Sequence, residues 1–203
     1  MITQNIFQEL KWRQVIYDST PNCESLLKLK NISCYNGFDP TAQSLHIGNL
    51  IAIVGLIRFQ KFGHSPIALI GGTTGMIGDP SGKNEERNLL SKPDIDYNVE
   101  AIRLQLMNIL DTKSKNNPIK IINNKDWLEN LQLVDFLRNV GKFFSVNTML
   151  AKDSVKGRID RESGISFTEF TYQLLQAYDY LMLFEKYNCQ LQTGGSDQWG
   201  NII

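Results

Sequence analysis

Two adjacent segments in the first half of the chain restrict the fold more than any other feature. The segment "NLIAIVGLIRFQKFG", residues 49–63, predicts a helix, and Gly63 suits a left-handed helix exit. It is followed by "SPIALIGG", residues 65–72, a continuous apolar run typical of a strand that is covered on both faces. Because "ISCYNGFD", residues 32–39, predicts a strand before this helix, we expect a β-α-β unit.

The same alternation continues along the rest of the chain. Strands that alternate with helices at this spacing predict a parallel sheet with right-handed crossovers. Two helices that cover the sheet are expected before the first strand. The further predicted elements are helices over residues 4–17, 24–29, 99–110, 133–140, 146–150 and 167–187, and strands over residues 119–123 and 189–195.

Charge and cysteine content restrict the partners and the compartment. The chain has 203 residues, with 21 Lys and Arg against 21 Asp and Glu, so an anionic partner would have to meet a local patch. Cys23, Cys34 and Cys189 have no metal-ligand spacing and suit a reducing compartment without disulfides. Because we find neither a signal-peptide pattern nor the roughly 20 apolar residues of a membrane span, we expect a cytoplasmic protein.

Three polar clusters come directly after predicted strands. Their sequences are "YNGFDPTAQSLHIGN", "GGTTGMIGDPSGK" and "QTGGSDQWGN". The carboxyl ends of parallel strands lie at one edge of the sheet, which is where ligands collect. If the three strands are neighbours, the clusters face one crevice, and this convergence predicts a functional site.

The glycine-rich second cluster fits neither common pattern for a nucleotide loop. A P-loop needs glycine where Ile77 stands, and Ser or Thr where Asn84 follows the lysine. A dinucleotide fingerprint that ends at Gly78 needs glycine where Thr73 stands. What remains is a turn that lets the backbone approach a ligand, with Asp79 as a candidate cation-binding carboxylate. A tight turn with a capping aspartate explains the same segment without a ligand.

The first cluster places histidine, two glycines, threonine and aspartate in a connection from a strand to a helix. Helix N-termini present unpaired amides and the positive end of the helix dipole, so imidazole and hydroxyl donors there suit a phosphate chain. The structural alternative is that Thr41 and Ser44 cap the helix while His46 packs against the protein. Each residue taken alone favours that structural role.

"HIGN" after "FDPTAQSL" resembles the HIGH signature of class I aminoacyl-tRNA synthetases, with Asn49 in place of the second histidine. Nucleotidylyltransferases carry a similar HxGH turn and are the alternative enzyme class. Five segments together resemble a bacterial-type tyrosyl-tRNA synthetase, in the same order and over essentially the whole chain. They are "YNGFDPTAQSLHIGNL", "GGTTGMIGDPSGK", "GKFFSVNTML", "GISFTEFTYQLLQAYDYL" and "LQTGGSDQWGNI". The resemblance implies a Rossmann-like, doubly wound parallel α/β sheet. It also implies ATP-dependent activation of L-tyrosine to tyrosyl-adenylate and transfer to tRNA(Tyr).

The resemblance assigns one set of residues to tyrosine. It implies that Tyr35 and Asp179 hydrogen-bond the phenolic hydroxyl, which disfavours phenylalanine because two buried polar groups would lose their partner. Tyr172 and Gln176 lie four residues apart, and Gln176 and Asp179 lie three residues apart, so one helix face can present all three. Without the resemblance, this face would be interpreted as solvent-exposed. The set comprises Tyr35 and Asp179 at the phenol, Asp79, Tyr172 and Gln176 at the ammonium group, Gln198 near the carboxylate, and Gln192 lining the pocket.

The resemblance assigns a second set to ATP. It implies that Thr41 and His46 donate to the terminal phosphate while the α-phosphate becomes five-coordinate, a reaction that needs positioning and charge stabilisation and no general base. ATP is expected as its Mg²⁺ complex, with no metal site in the protein itself. The catalytic set comprises Thr41, His46, Asn49, Lys83 and Arg87. The resemblance places the last two on the loop "KNEER", near the departing pyrophosphate. The nucleotide set comprises Asn36, Gly37, Asp39, His46, Gly48, Asn49, Gly195 and Asp197.

The sequence ends at "WGNII", before the family's KMSKS loop and its anticodon-binding and S4-like regions. The resemblance therefore implies that residues 1–203 are one incomplete catalytic domain, which we expect to bind tyrosine better than it catalyses activation. It also implies a homodimer through "FFSVNTML" and "GISFTEF". The alternative is a truncated tRNA-binding or dimerising module without activity. Tryptophanyl-tRNA synthetase is disfavoured because the pair Tyr35 and Asp179 suits a phenol.

Overall fold

The computed structural model describes residues 5–81, 89–159 and 164–203. Strands β1 (Ser33–Phe38), β2 (Ser65–Ile70), β3 (Lys120–Asn123) and β4 (Cys189–Thr193) form one parallel sheet in the order β3-β2-β1-β4. Because the chain builds outward from β1 in both directions, the sheet is doubly wound, which confirms the predicted fold class. The helices are α1 (Ile6–Trp12), α2 (Cys23–Leu26), α3 (Asn49–Lys61), α4 (Lys92–Ile109), α5 (Lys125–Leu128), α6 (Leu133–Asn139), α7 (Val146–Leu150), α8 (Asp153–Ile159), α9 (Phe167–Tyr187) and α10 (Trp199–Ile202).

Strand β2 is covered on both faces, as its continuous apolar sequence predicts. Ala68 and Ile70 pack into a core that contains residues of α3 and α4. Ile67 and Leu69 pack into a second core that contains residues of α5 and α9. Since side chains alternate along a strand, these two cores lie on opposite faces of the sheet.

Local capping explains several helix boundaries. Helix α3 ends before Gly63, which has φ +85 and provides the predicted left-handed exit. Helix α4 begins at Lys92, whereas the predicted helix began at residue 99. The prediction was wrong because it weighed apolar periodicity and overlooked the cap: the Ser91 side chain accepts the Asp94 N–H, and Pro93 is tolerated in the first turn.

The strand predicted over residues 189–195 ends at Thr193, because the two glycines that follow belong to the turn after it. The other disagreements among the helices concern short ones. Helix α1 ends at Trp12 and not at residue 17, because the chain turns into a left-handed conformation at Gln14 (φ 57). Helix α2 stops at Leu26 and not at residue 29. Neither α5 nor α8 was predicted, and residue 4 of the first predicted helix lies outside the described residues. In the part of the chain that the structure describes, no helix has the length and apolarity that a membrane crossing requires.

Candidate functional site

The three polar clusters meet at the carboxyl edge of the sheet, because β1 pairs with β2 on one side and with β4 on the other. Two hydrogen bonds show that segments far apart in sequence come together there. The Tyr172 hydroxyl on α9 donates to Asp39 Oδ2 after β1, at 3.0 Å. Gln198 Nε2 after β4 donates to Asp79 Oδ2 after β2, at 2.6 Å. The three predicted clusters therefore lie together at one edge of the sheet.

A buried tyrosine and a buried carboxyl group lie on the α9 side of the sheet. Tyr35 is 2% exposed, and its hydroxyl has no hydrogen-bond partner among the described residues. Gln192 of β4 lies opposite Tyr35 in the sheet register. Both oxygens of Asp179 accept hydrogen bonds, Oδ1 from Trp127 Nε1 at 2.7 Å and Oδ2 from Asn124 Nδ2 at 2.9 Å.

Burial controls the ionisation of these groups. Burial raises the pKa of Asp179 to about 7, and the hydrogen bonds from Asn124 and Trp127 offset part of that rise. Burial, and next the charge of Asp179, raise the pKa of Tyr35 well above its usual range. Burial and the charge of Asp39 raise the pKa of Tyr172 in the same way. Both tyrosine hydroxyls therefore keep their protons and remain donors at neutral pH.

One chain of hydrogen bonds connects Asp179 with the loop after β1. Asn124 Nδ2, besides its bond to Asp179, donates to Thr74 Oγ1 at 2.9 Å. Thr74 Oγ1 in turn donates to Asp39 Oδ1 at 3.4 Å, and the other oxygen of Asp39 accepts the Tyr172 hydroxyl. The two ends of the crevice thus belong to one polar network.

Amide groups surround the carboxylate of Asp79, which is 7% exposed. Asp79 Oδ1 accepts the Ser81 N–H at 2.9 Å, and Oδ2 accepts from Gln198. Gln176 Nε2 donates to Gln198 Oε1 at 3.3 Å, while Gln176 Oε1 accepts from Asn201 Nδ2 at 3.0 Å. A buried carboxylate among neutral amides suits a cationic ligand group, which would compensate its charge.

The turn before α3 holds its histidine in one tautomer. His46 Nδ1 accepts the Gly48 N–H at 3.0 Å, and the His46 N–H donates to Asn49 Oδ1 at 3.0 Å. A neutral imidazole that accepts at Nδ1 carries its proton on Nε2, which can donate to a ligand. Gly48 caps the helix and the His46 and Thr41 side chains are exposed, so the structural alternative of a Thr41 cap with a packed histidine is wrong.

The remaining predicted nucleotide residues surround the ends of β1 and β4. Asn36 Nδ2 donates to Thr193 Oγ1 at 3.1 Å, across the two strands. Asp197 Oδ2 accepts from Gln198 Nε2 at 3.1 Å. Gly37 and Gly195 are exposed, and Lys83 and Arg87 lie outside the described residues. Within the described ranges, no group of three or more His, Cys, Asp or Glu side chains is placed to hold a metal ion.

Residues 27–203 match the family model described as tRNA synthetases class I (W and Y). This chain belongs to that family. The tyrosine–tRNA ligase of Roseiflexus castenholzii is 56% identical over 197 residues, which cover 97% of this chain and 46% of the relative. That of Flavobacterium johnsoniae is 54% identical over 202 residues, which cover 98% and 47%. The chain spans about half the length of the curated relatives it matches.

Solved structures of class I synthetases share this fold. A C-terminally truncated mitochondrial tyrosyl-tRNA synthetase of Aspergillus nidulans superposes with a TM-score of 0.85 at 31% identity, over 98% of this chain and 59% of that chain. The tyrosyl-tRNA synthetase of Archaeoglobus fulgidus, solved with L-tyrosine, has a TM-score of 0.61 at 16% identity, over 88% and 52%. At that low identity the second likeness concerns the fold alone.

Sequence reasoning missed several polar residues at the site of this class I synthetase. Asn124 and Trp127 follow β3, where "NNKDW" is a further polar segment at the carboxyl end of a predicted strand and could have indicated them. Thr74 and Asn201 lie inside two of the quoted clusters, yet no signal distinguished them from turn residues. Their contacts are tertiary, so only the fold reveals them.

Proposed function

We propose that this chain is the tyrosine- and ATP-binding part of a tyrosine–tRNA ligase. A carboxylate oxygen of L-tyrosine forms a bond to the α-phosphorus of ATP, and the bond from that phosphorus to the departing pyrophosphate breaks. The complete enzyme then transfers the tyrosyl group from the adenylate to tRNA(Tyr). Residues 1–203 supply one catalytic domain of this enzyme, and its free cysteines suit the reducing cytoplasm.

The Tyr35 hydroxyl, which lies near Asp179 and has no hydrogen-bond partner in the described part of the chain, carries the proposal. A phenolic oxygen can accept the Tyr35 proton, and its own proton can be donated to Asp179, so one substrate group satisfies both side chains. Phenylalanine would leave the buried hydroxyl and the buried carboxyl group without that partner, which disfavours its binding. An indole N–H offers no acceptor to Tyr35, and this supports tyrosine over tryptophan.

The other tyrosine contacts follow from the amide-lined carboxylate. Asp79 supplies the negative charge for the substrate ammonium group, and Gln176 and Tyr172 supply oxygen acceptors. Gln198, whose amide nitrogen contacts Asp79, is placed to turn toward the substrate carboxylate. Gln192 lines the pocket beside the ring.

The nucleotide contacts follow from the exposed turn before α3. His46 Nε2 and the Thr41 hydroxyl donate to the phosphates, where negative charge develops as the α-phosphate becomes five-coordinate. Asn49 donates through Nδ2, since its Oδ1 holds the His46 N–H. Lys83 and Arg87 are proposed at the pyrophosphate, and Mg²⁺ enters as part of the ATP substrate. The proposed ribose and adenine contacts are Asn36, Gly37, Asp39, Gly48, Gly195 and Asp197.

Calorimetric titration of the 203-residue chain with an amino-acid panel tests the assignment. We expect L-tyrosine to bind, and phenylalanine and tryptophan to bind at least about tenfold more weakly, because each leaves a buried polar group unmet. The paired substitution Thr41→Ala and His46→Ala should keep tyrosine affinity and abolish pyrophosphate exchange in the complete enzyme. A chain that shows no preference for tyrosine would favour another nucleotidylyltransferase.

We also propose that the enzyme is a homodimer. Apolar side chains are exposed on α6, on the turn between α6 and α7, on α7 and on the first turn of α9. They include Phe143 in that connecting turn and Phe167 on α9, at 76% and 77% exposure. Exposed apolar patches of this kind mark protein interfaces. A second copy is the proposed occupant, because these segments include those that resemble the family's dimer contact.

Analytical ultracentrifugation of the chain and of Phe143→Glu tests this interface. The unsubstituted chain should sediment as a dimer and the variant as a monomer, because a carboxylate would be buried without a partner. Leu29→Glu, at another exposed apolar position, is the matched control and should remain dimeric. A monomeric unsubstituted chain would contradict the proposal.

A further inference from the structure

A buried asparagine outside the proposed substrate contacts joins three segments of the site. Asn201 of α10 is 9% exposed. Its Nδ2 lies 3.0 Å from Gln176 Oε1, 3.1 Å from Ser81 Oγ, 3.3 Å from Asp79 Oδ1 and 3.5 Å from Gln198 Oε1. These oxygens belong to α9, to the loop after β2 and to the turn after β4. One nitrogen therefore stands where the three segments meet.

Acceptors outnumber donors around this nitrogen. The amide of Asn201 has two N–H groups for the four surrounding oxygens, so some lone pairs stay available. One of these oxygens belongs to the buried carboxylate of Asp79. Surplus acceptors beside a buried negative charge suit a group with several N–H donors and a positive charge, which describes an ammonium ion.

The backbone around Asn201 is tied to the rest of the domain. Lys152 Nζ donates to the carbonyl oxygen of Gly200 at 2.5 Å and so joins α10 to the turn after α7. The Ser81 N–H also donates to Asp79 Oδ1, at 2.9 Å. Asn201 is thus held between fixed partners, which suits a residue that orients its neighbours.

We propose that Asn201 is a positioning residue for the substrate ammonium group, an inference that rests on the proposed binding of tyrosine. Its N–H groups orient Gln176 Oε1 and the carboxylate of Asp79 toward one point. Without these donors, the Gln176 amide is free to rotate and Asp79 loses a partner, so the acceptors no longer converge on the ammonium group. Two other roles are open to Asn201: it contributes only to packing, or its amide competes with the ammonium group.

Titration of the chain and its variants with two ligands separates these roles. The variants are Asn201→Leu, which keeps the branched shape without the amide, and Asn201→Ala. The ligands are L-tyrosine and 3-(4-hydroxyphenyl)propanoate, which lacks the ammonium group. We expect both variants to bind tyrosine about fivefold more weakly, the loss typical of one neutral hydrogen bond, and to bind the propanoate within about twofold of the unsubstituted chain.

A matched control removes an asparagine away from the site. Asn117 Nδ2, before β3 at the amino edge of the sheet, donates to the carbonyl oxygens of Gln60 and His64 at 2.8 Å each. Asn117→Ala should lower thermal stability and leave tyrosine affinity unchanged.

Each other outcome has a defined meaning. Unchanged tyrosine affinity in the Asn201 variants would overturn the positioning role in favour of packing, and increased affinity would overturn it in favour of competition. Equal weakening of both ligands would also overturn it, because the effect would then not pass through the ammonium group. If the unsubstituted chain binds neither ligand, the proposed function itself fails and this inference fails with it.

Discussion

Replacing Asp179 with asparagine tests the electrostatics of the buried pair. The pKa of Asp179 is about 7 in the folded chain, against about 3.9 for an unfolded aspartate. Because the folded pKa is raised, the folded state binds more protons than the unfolded state between these values. The stabilisation is fully present below about pH 4 and is lost as the pH rises through about 7.

The magnitude follows from the two pKa values. Integrating the proton linkage from about pH 5 to about pH 8 predicts that this one group lowers the free energy of unfolding by about 2–3 kcal/mol. Asp179→Asn has no such titration. Its amide also turns one N–H group toward the N–H donor of Trp127 or Asn124, so that donor loses its acceptor. We therefore expect a less stable protein with a flatter pH dependence of stability.

Urea unfolding followed by tryptophan fluorescence measures both effects. The difference in unfolding free energy between the unsubstituted chain and Asp179→Asn should be larger at pH 5 than at pH 8 by about 2–3 kcal/mol. Comparing the two proteins at each pH cancels the other titrating groups. Parallel pH curves would refute the reasoning, since they would show that Asp179 titrates alike in the folded and unfolded chain.

Three further substitutions address other contacts. Tyr35→Phe should lower the preference for tyrosine over phenylalanine about fivefold in binding titrations, with little change in stability, because the lost hydroxyl has no protein partner among the described residues. Gly71→Ala should weaken tyrosine binding about tenfold or more in calorimetric titrations. A Cβ there would overlap Asp39 Oδ1 and displace the carboxylate that accepts the Tyr172 hydroxyl of α9. Arg158→Met should lower the urea-derived stability by about 3–5 kcal/mol, because it leaves the buried carboxylate of Glu169 without its bidentate partner.

Each of these has a matched control. Tyr187→Phe changes a tyrosine at the far end of α9 and should leave the preference for tyrosine over phenylalanine unchanged. Gly55→Ala adds a Cβ with no atom within 4 Å and should not weaken tyrosine binding. A second substitution, Glu169→Leu, should restore most of the stability lost in Arg158→Met. Failure of that rescue would show that the loss arises from packing around the arginine and not from the unpaired charge.

Elements with strong local signals were predicted closely from the sequence. The long helix over residues 167–187 was correct at both ends, because Ser166 caps its start and Asn188 leaves it in a left-handed conformation. The start of α4 was misplaced because its cap lies in a polar segment without apolar periodicity. Single-turn α5 is too short for any period to show.

The residues of the site also differ in whether a local sequence signal or a tertiary contact reveals them. The spacing of Tyr172, Gln176 and Asp179 is a local property, so the shared helix face could be predicted before any contact was known. The hydrogen bonds of Asp179 to Trp127 and of Gln176 to Asn201 depend on the packing of distant segments, and no local pattern encodes them.

The connected polar path from Asp179 through Asn124 and Thr74 to Asp39 has a geometric consequence. Under the proposed function, it fixes the separation between Asp179, the acceptor for the ring hydroxyl, and Tyr172, an acceptor for the ammonium group that Asp39 holds in place. An amino acid one methylene shorter, such as 4-hydroxyphenylglycine, should therefore bind more weakly than tyrosine. The site would then select its amino acid by the length of the side chain as well as by the hydrogen bonds of the ring hydroxyl.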